Sequence, residues 1–195
     1  MSGIPGYDFG DESVPDAPIS MAEFERLKDT VMWSDEDDEY LRMAGETLEP
    51  QVDDMLDRWL GFLSTFEFMN DYRRDVDTGE LIEEYGDRSR PRYGQWIRDT
   101  CDTPYDEDWL DYQFEIGRRH HRTKKNETDD VNAAPHINLR HITPLIYLHT
   151  ATVREFLQNG DHTEEEIDKM YQAWFKSVVL QVTLWSYPYT KEGDW

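Results

Sequence analysis

The sequence predicts an all-α fold of seven or eight helices. Apolar residues recur at spacings of three and four along most of the chain. Ser20 with Glu23 and Thr163 with Glu166 have the spacing of capping boxes, which satisfy the free N–H groups of a first helical turn. No stretch of any length alternates apolar and polar residues with the period of a strand.

Residues 1–19 carry Pro5, Pro15, Pro18, Gly3, Gly6 and Gly10, and read as an irregular extension that is ordered only if it packs on something. Ser20 opens a helix to about Val31, with Phe24, Leu27 and Val31 on one face. Ser34 and the acids after it start a second helix to about Leu48, because carboxylates suit the positive end of a helix dipole. Pro50 suits an early helical turn, and Val52, Met55, Leu56, Trp59, Leu60 and Leu63 form a strong amphipathic stripe behind it.

Asp77-Thr78-Gly79 is a turn, and residues 80–100 look helical with interruptions at Gly86 and Pro91. Asp106 to Lys125 reads as one helix, with Trp109, Tyr112, Gln113, Ile116 and His120 on one stripe. A polar loop over residues 126–135 leads to a helix from His136 to Leu157, interrupted at Pro144 and ended by Asn159-Gly160. Thr163 opens the last long helix, which Pro188 stops.

Composition narrows the function. In 195 residues, 43 acids face 20 bases, a net charge of −23. That sign opposes nucleic-acid binding and docking on anionic membranes. The 7 Trp, 11 Tyr and 8 Phe are too many for a solvated coil and supply a sizeable core. The acids are Asp-heavy and the bases Arg-heavy, which suits either a salt-rich milieu or an ordinary acidic cytoplasmic protein. A single cysteine, Cys101, leaves no internal disulfide or multi-cysteine metal site. With no basic-then-apolar leader and no apolar run of about 20 residues, the expected location is cytoplasmic.

Chemistry-bearing motifs are few. The sequence shows no Gly-rich phosphate loop, no nucleophile elbow and no zinc-protease histidine pair. Carboxylate pairs are too numerous to single one out. His120 lies on an apolar stripe, where a histidine is either a satisfied core residue or a metal or haem ligand. His141 and His149, eight apart with Leu145 between them, form a second candidate pair with no evident third ligand. Pattern alone leaves a haem pocket and a helical interaction domain with aromatics only in its core both open.

The segments WLDYQFEIGRRHHRTKK (Trp109–Lys125) and MYQAWFKSVVLQVTLWSYPYTKEGDW (Met170–Trp195), with Ile4-Pro5-Gly6-Tyr7, resemble the protoglobins. The resemblance runs from Ile4 to Trp195 and is loose over residues 65–100. It implies a globin fold, a three-over-three helical sandwich over residues 20–195, enlarged by the N-terminal extension and an extra first helix. It implies haem b, with the proximal iron ligand at His120 and with His121 structural or on the surface. It also implies an open distal side for O2, CO or NO, used in sensing, scavenging or storage, and a homodimer through the last two long helices.

On the distal side Trp59 matches the family. Leu60 stands where the family has a tyrosine that hydrogen-bonds oxygen, a bond worth ~1 kcal/mol. Tyr93, Leu145 and Arg73 replace phenylalanines, and Ser89 replaces an apolar residue. Gly86 and Pro91 are foreign to the corresponding family helix. Tyr112, Ile116, Arg92, Ile137, Ile142 and His149 are further candidates to line the haem. Leu60 and Leu145 imply an enlarged pocket, and Tyr93 offers a replacement donor. The alternatives are a haem enzyme for carbene or nitrene transfer, or for peroxidase-type or nitric oxide dioxygenase chemistry, on a small-molecule substrate, and a helical binding module whose cavity Arg73, Ser89 and Pro91 have destroyed.

Overall fold

Three helix starts are written locally in the sequence and form as local chemistry dictates. The Glu23 carboxylate accepts from Ser20 N–H at 3.0 Å while Glu23 N–H donates to Ser20 Oγ at 3.3 Å. Thr163 and Glu166 repeat the exchange at 2.8 and 3.2 Å. Asp37 accepts from the Ser34 N–H at 2.7 Å and from its hydroxyl at 3.1 Å. These reciprocal bonds satisfy donors that a helix end otherwise leaves to water.

The structure, a computed structural model, describes residues 3–191 and 193–195. The helices among them are α1 (Met21–Thr30), α2 (Asp35–Leu48), α3 (Val52–Ser64), α4 (Glu67–Asn70), α5 (Glu83–Asp102), α6 (Glu107–His120), α7 (Leu139–Ile142), α8 (Leu145–Leu157) and α9 (Glu164–Trp185). Seven of these run ten residues or longer, and α4 and α7 are single turns. Extended pairing among the described residues is limited to two isolated bridges, Arg74 with Leu81 and Asp75 with Ala133. No helix among the described residues is long and apolar enough to cross a membrane.

The 22-residue α9 is the central strut, packed on α2, α6 and α8 and touching α5. Its Ile167, Met170, Trp174, Val178, Val182 and Trp185 enter the main core with Leu41 of α2, Met55 and Trp59 of α3, Ile97 of α5 and Val153 of α8. A smaller core of Phe24, Trp109, Leu110, Phe114, Leu180 and Leu184 fastens α1 to α6 and α9. Each such large apolar side chain stabilises the fold by about 1.5–3 kcal/mol on burial, so the mean hydropathy of −0.86 describes the surface rather than the interior.

Several boundaries differ from the sequence reading. α6 ends at His120, not Lys125: His121 takes φ −98° and ψ 163°, and the chain turns back. The cause is Lys125, whose buried ammonium donates to the carbonyls of Tyr72 (3.1 Å) and Ala134 (2.8 Å), which a continuing helix would not reach. Residues 136–138 are not helical, and the expected helix from His136 begins as α7 at Leu139 and restarts as α8 past Pro144. α5 passes through Gly86 and Pro91 without a break. Pro91 lacks the N–H that would bond the Asp87 carbonyl, and Asp87 is exposed, so water can replace that bond. α4 and the 3-10 turn Asp71–Arg73 carried no clear periodic signal.

The irregular extension does pack on something. Tyr7 and Phe9 each meet Tyr112 edge-on at 5.3 Å, and Tyr7 Oη donates to Asp99 Oδ2 at 2.8 Å. Gly6 (φ +72°) lies so close to Arg92 and Thr128 that a Cβ would stand 2.9 Å from both.

Candidate functional site

One cavity of about 290 Å³ lies between α3, α5, α6, α8 and the segment from Lys125 to Ile137, with Tyr7 of the extension in its wall. Its size is of the order of small-molecule and cofactor pockets, and its wall is mostly apolar.

His120, the last residue of α6, faces this cavity. Its Nδ1 lies 2.8 Å from the Ile116 carbonyl, so Nδ1 carries the proton and donates it. Nε2 then holds a lone pair, with no protein partner among the described residues. Trp185 lies nearly parallel to the imidazole, with ring centroids 5.5 Å apart, and its own indole N–H donates to Gln113 Oε1 at 2.9 Å. The Tyr189 hydroxyl sits between the carbonyls of His120 (2.8 Å) and Ile137 (2.7 Å), which fixes the end of α6. Burial lowers the His120 pKa; the Ile116 bond opposes this, and Lys125 and Arg119 add to it. The imidazole is therefore neutral, as a metal ligand must be.

The wall contains most of the residues singled out in the sequence. Tyr112 and Ile116 come from α6, Ser89, Arg92 and Tyr93 from α5, Leu60 from α3, Leu145 and His149 from α8, Ile142 from α7, and Ile137 and Arg73 from connecting segments. The cavity thus persists despite Arg73, Ser89 and Pro91. Trp59 is a correction: it is fully buried one layer behind the wall, its ring 4.7 Å from that of His149 and its N–H donated to Thr152 Oγ1 at 2.7 Å. His149 and Tyr93, on which its ring packs, line the cavity instead.

His141 and His149 do not converge on one point. His141 Nδ1 pairs with the Tyr72 hydroxyl at 2.8 Å, and His149 Nε2 pairs with that of Tyr93. No group of three His, Cys, Asp or Glu side chains among the described residues is placed to hold a metal ion. His121 caps α6 and meets the Tyr189 ring edge-on at 4.9 Å, consistent with a structural place.

Cations in the wall differ in how they are neutralised. Arg92 pairs with Asp129 at 2.6 Å and donates to the Pro5 carbonyl at 2.8 Å. Arg119 pairs with Asp8 and Glu115. Arg90 pairs with Asp53 and Asp57. Lys125 is held by carbonyls, and burial lowers its pKa to about 8 despite Asp129 nearby. Arg73 has no ion pair among the described residues, and its buried Nε lacks a hydrogen-bond partner. It lies across α5 at Gly86, where a Cβ would collide with its Nη2.

Sequence reasoning missed Trp96, Trp185, Tyr72, Tyr85 and Lys125 as wall residues. Trp185 sits on the stripe of α9 and reads as core. Lys125 ends a basic run that looks solvated, and nothing local announces its burial.

Residues 20–195 match the family model of the protoglobins. The chain belongs to the protoglobin family. This protoglobin also resembles in structure the globin domain of the Geobacter sulfurreducens globin-coupled sensor, with a TM-score of 0.66 and 14% identity over 86% of this chain and 97% of that one. At that identity the likeness is one of fold, and the fold is the globin fold. No match to the chain is found among curated proteins. Membership of the family implies a haem cofactor. The cavity fits one: among the described residues it has a neutral imidazole with a nitrogen that no protein group occupies, mostly apolar walls, and two cations, Arg73 and Lys125, without a carboxylate ion pair.

Proposed function

We propose that this protoglobin is a haem b protein that takes diatomic gases (O2, CO or NO) on the side of the porphyrin away from His120. Haem supplies an iron able to bind such gases. The chain would supply the axial nitrogen, a mostly apolar cavity and control of access. One observation carries the reading: His120 lines the cavity, and the Nδ1 bond to Ile116 leaves its Nε2 unprotonated and without a protein partner among the described residues. Arg73, the guanidinium of the wall that has no ion pair among the described residues, would take a porphyrin carboxylate.

An absorption spectrum of the reduced protein tests this. A Soret band that shifts with CO is expected, and His120→Ala should lose that axial ligation. A colourless protein that refuses added hemin would overturn the reading.

The dimer remains part of the proposal. α8 and α9 leave Tyr147 and Phe175 exposed, and sedimentation should give twice the chain mass; a monomer at micromolar concentration would remove it.

A further inference from the structure

An aromatic chain leads from His120 through Trp185 and Trp96 to a pair of side chains from two other helices. Trp96 is 6.0 Å from Trp185, 5.6 Å from Tyr93 and 5.3 Å from His149, centroid to centroid. Tyr93 of α5 and His149 of α8 both line the cavity, and the Tyr93 hydroxyl is hydrogen-bonded to His149 Nε2. His149 is only 4% exposed, and its Nδ1 is buried with no partner among the described residues.

Both groups stay neutral. Burial lowers the His149 pKa to about 3 and raises that of Tyr93. The pair therefore holds two protons, and they can be arranged in two ways. If the hydroxyl donates to Nε2, the imidazole proton sits on Nδ1, a buried N–H with no acceptor. If Nε2–H donates to the phenol oxygen, Nδ1 keeps a bare lone pair and the phenol proton turns into the cavity. Each arrangement leaves one donor without a protein partner among the described residues. In the first it is the Nδ1–H, sealed inside the protein, and in the second the O–H of a residue that lines the cavity, where a ligand or water can accept it, so the first is the costlier. The second arrangement is the one the surroundings favour. Ser89, one turn before Tyr93, does not compete as a donor, because its hydroxyl is spent on the Gly86 carbonyl at 3.1 Å.

We infer that Tyr93 and His149 form a donor dyad, in which His149 holds the Tyr93 hydroxyl proton toward the cavity to recognise a small ligand that accepts a hydrogen bond. Tyr93 is the recognition group and His149 a positioning residue. For a gas-binding haem protein, the reading on which the choice of ligand rests, the dyad favours O2 over the weaker acceptor CO. It does so from α5 and α8, while Leu60, the α3 residue in the same wall, has no donor to offer.

Two measurements test this independently. In the haem-free protein, ¹⁵N NMR of labelled histidine should show His149 protonated at Nε2. In Tyr93→Phe that preference should vanish. A His149 protonated at Nδ1 in the parent protein would overturn the dyad whatever haem does. In the haem-loaded protein, Tyr93→Phe should speed O2 release about tenfold and CO release less than twofold. His149→Leu should speed O2 release several-fold, and His149→Gln, which keeps an N–H donor for the phenol oxygen, should restore the parent ratio. Equal effects on both gases, or none on O2, would overturn the inference. Failure to take up hemin would sink the haem reading alone, and the tautomer result would still stand.

Discussion

Arg73 and Gly86 occupy one space from two parts of the sequence, because only a residue without a Cβ lets that guanidinium lie across α5. This coupling predicts a sign change. Gly→Ala inside a helix normally stabilises by about 0.5–1 kcal/mol. In the Arg73→Met background Gly86→Ala should do so. In the parent chain it should destabilise, since the arginine has to leave its place. Urea unfolding of the four proteins measures the difference, and additive effects would mean the two residues do not touch. Cys101 gives a second expectation at this scale. Burial, with Asp102 adding to it, raises its thiol pKa, so alkylation of the native protein should wait on unfolding and follow the unfolding rate. The sequence made His120, Arg73 and Gly86 visible one at a time: His120 from its stripe, the other two as departures from a family pattern. That Arg73 and Gly86 answer each other, and that His149 is tied to Tyr93 rather than paired with His141, depends on which helices meet, and spacing along one helix does not carry that.

At the scale of elements, α6 is held to α9 and to the turn after it by two features of its last two turns. A Cβ on Gly117 would stand 2.9 Å from the backbone Cα of Trp185. Gly117→Ala should therefore push α9 away, cost about 2–3 kcal/mol and disturb the indole that lies on His120. Thermal unfolding reads the first effect and tryptophan fluorescence the second. Two residues earlier, the fully buried Glu115 carboxylate gathers Arg118, Arg119 (2.9 Å) and Lys124 (2.5 Å). Burial alone would raise its pKa, but the bonds from the three cations together outweigh it and hold it below the ordinary value. A carboxyl lowered on folding contributes stability above its unfolded pKa and loses it as pH falls through the folded one. Glu115→Gln should cost about 3 kcal/mol at pH 7, the low end for a broken buried pair because Arg118 and Lys124 are partly solvated. It should also flatten the loss of stability below about pH 4.5; an unchanged acid limb would contradict the assignment. Helix starts with capping boxes were legible in the sequence because their chemistry spans four residues. The end of α6 was not, since what stops it is a lysine that bonds carbonyls near residues 72 and 134.

At the scale of the whole molecule, the charge of −23 sets opposing salt effects, and their ranges decide between them. Most cations already sit within 4 Å of a carboxylate, as in Arg58 with Glu155, Arg98 with Glu49 and Arg154 with Glu164. These exposed pairs are worth about 0–1 kcal/mol each, and salt weakens them modestly. The remaining carboxylates repel one another at separations comparable to or beyond the Debye length, about 10 Å at 0.1 M and 3 Å at 1 M. Repulsion summed over many distant like charges is therefore screened well before attraction across a few ångströms. Added salt should stabilise this fold on balance. Raising NaCl from 0.05 to 1 M at pH 7 should lift Tm by several degrees, since about 1 kcal/mol moves Tm by roughly 2–4 °C in a chain of this size. The gain should shrink as pH falls toward the pI of about 4.4, where protonation removes the repulsion that salt would screen. A Tm that falls with salt, or a salt effect unchanged near pH 4.5, would mean that the short ion pairs rather than the excess charge control the stability.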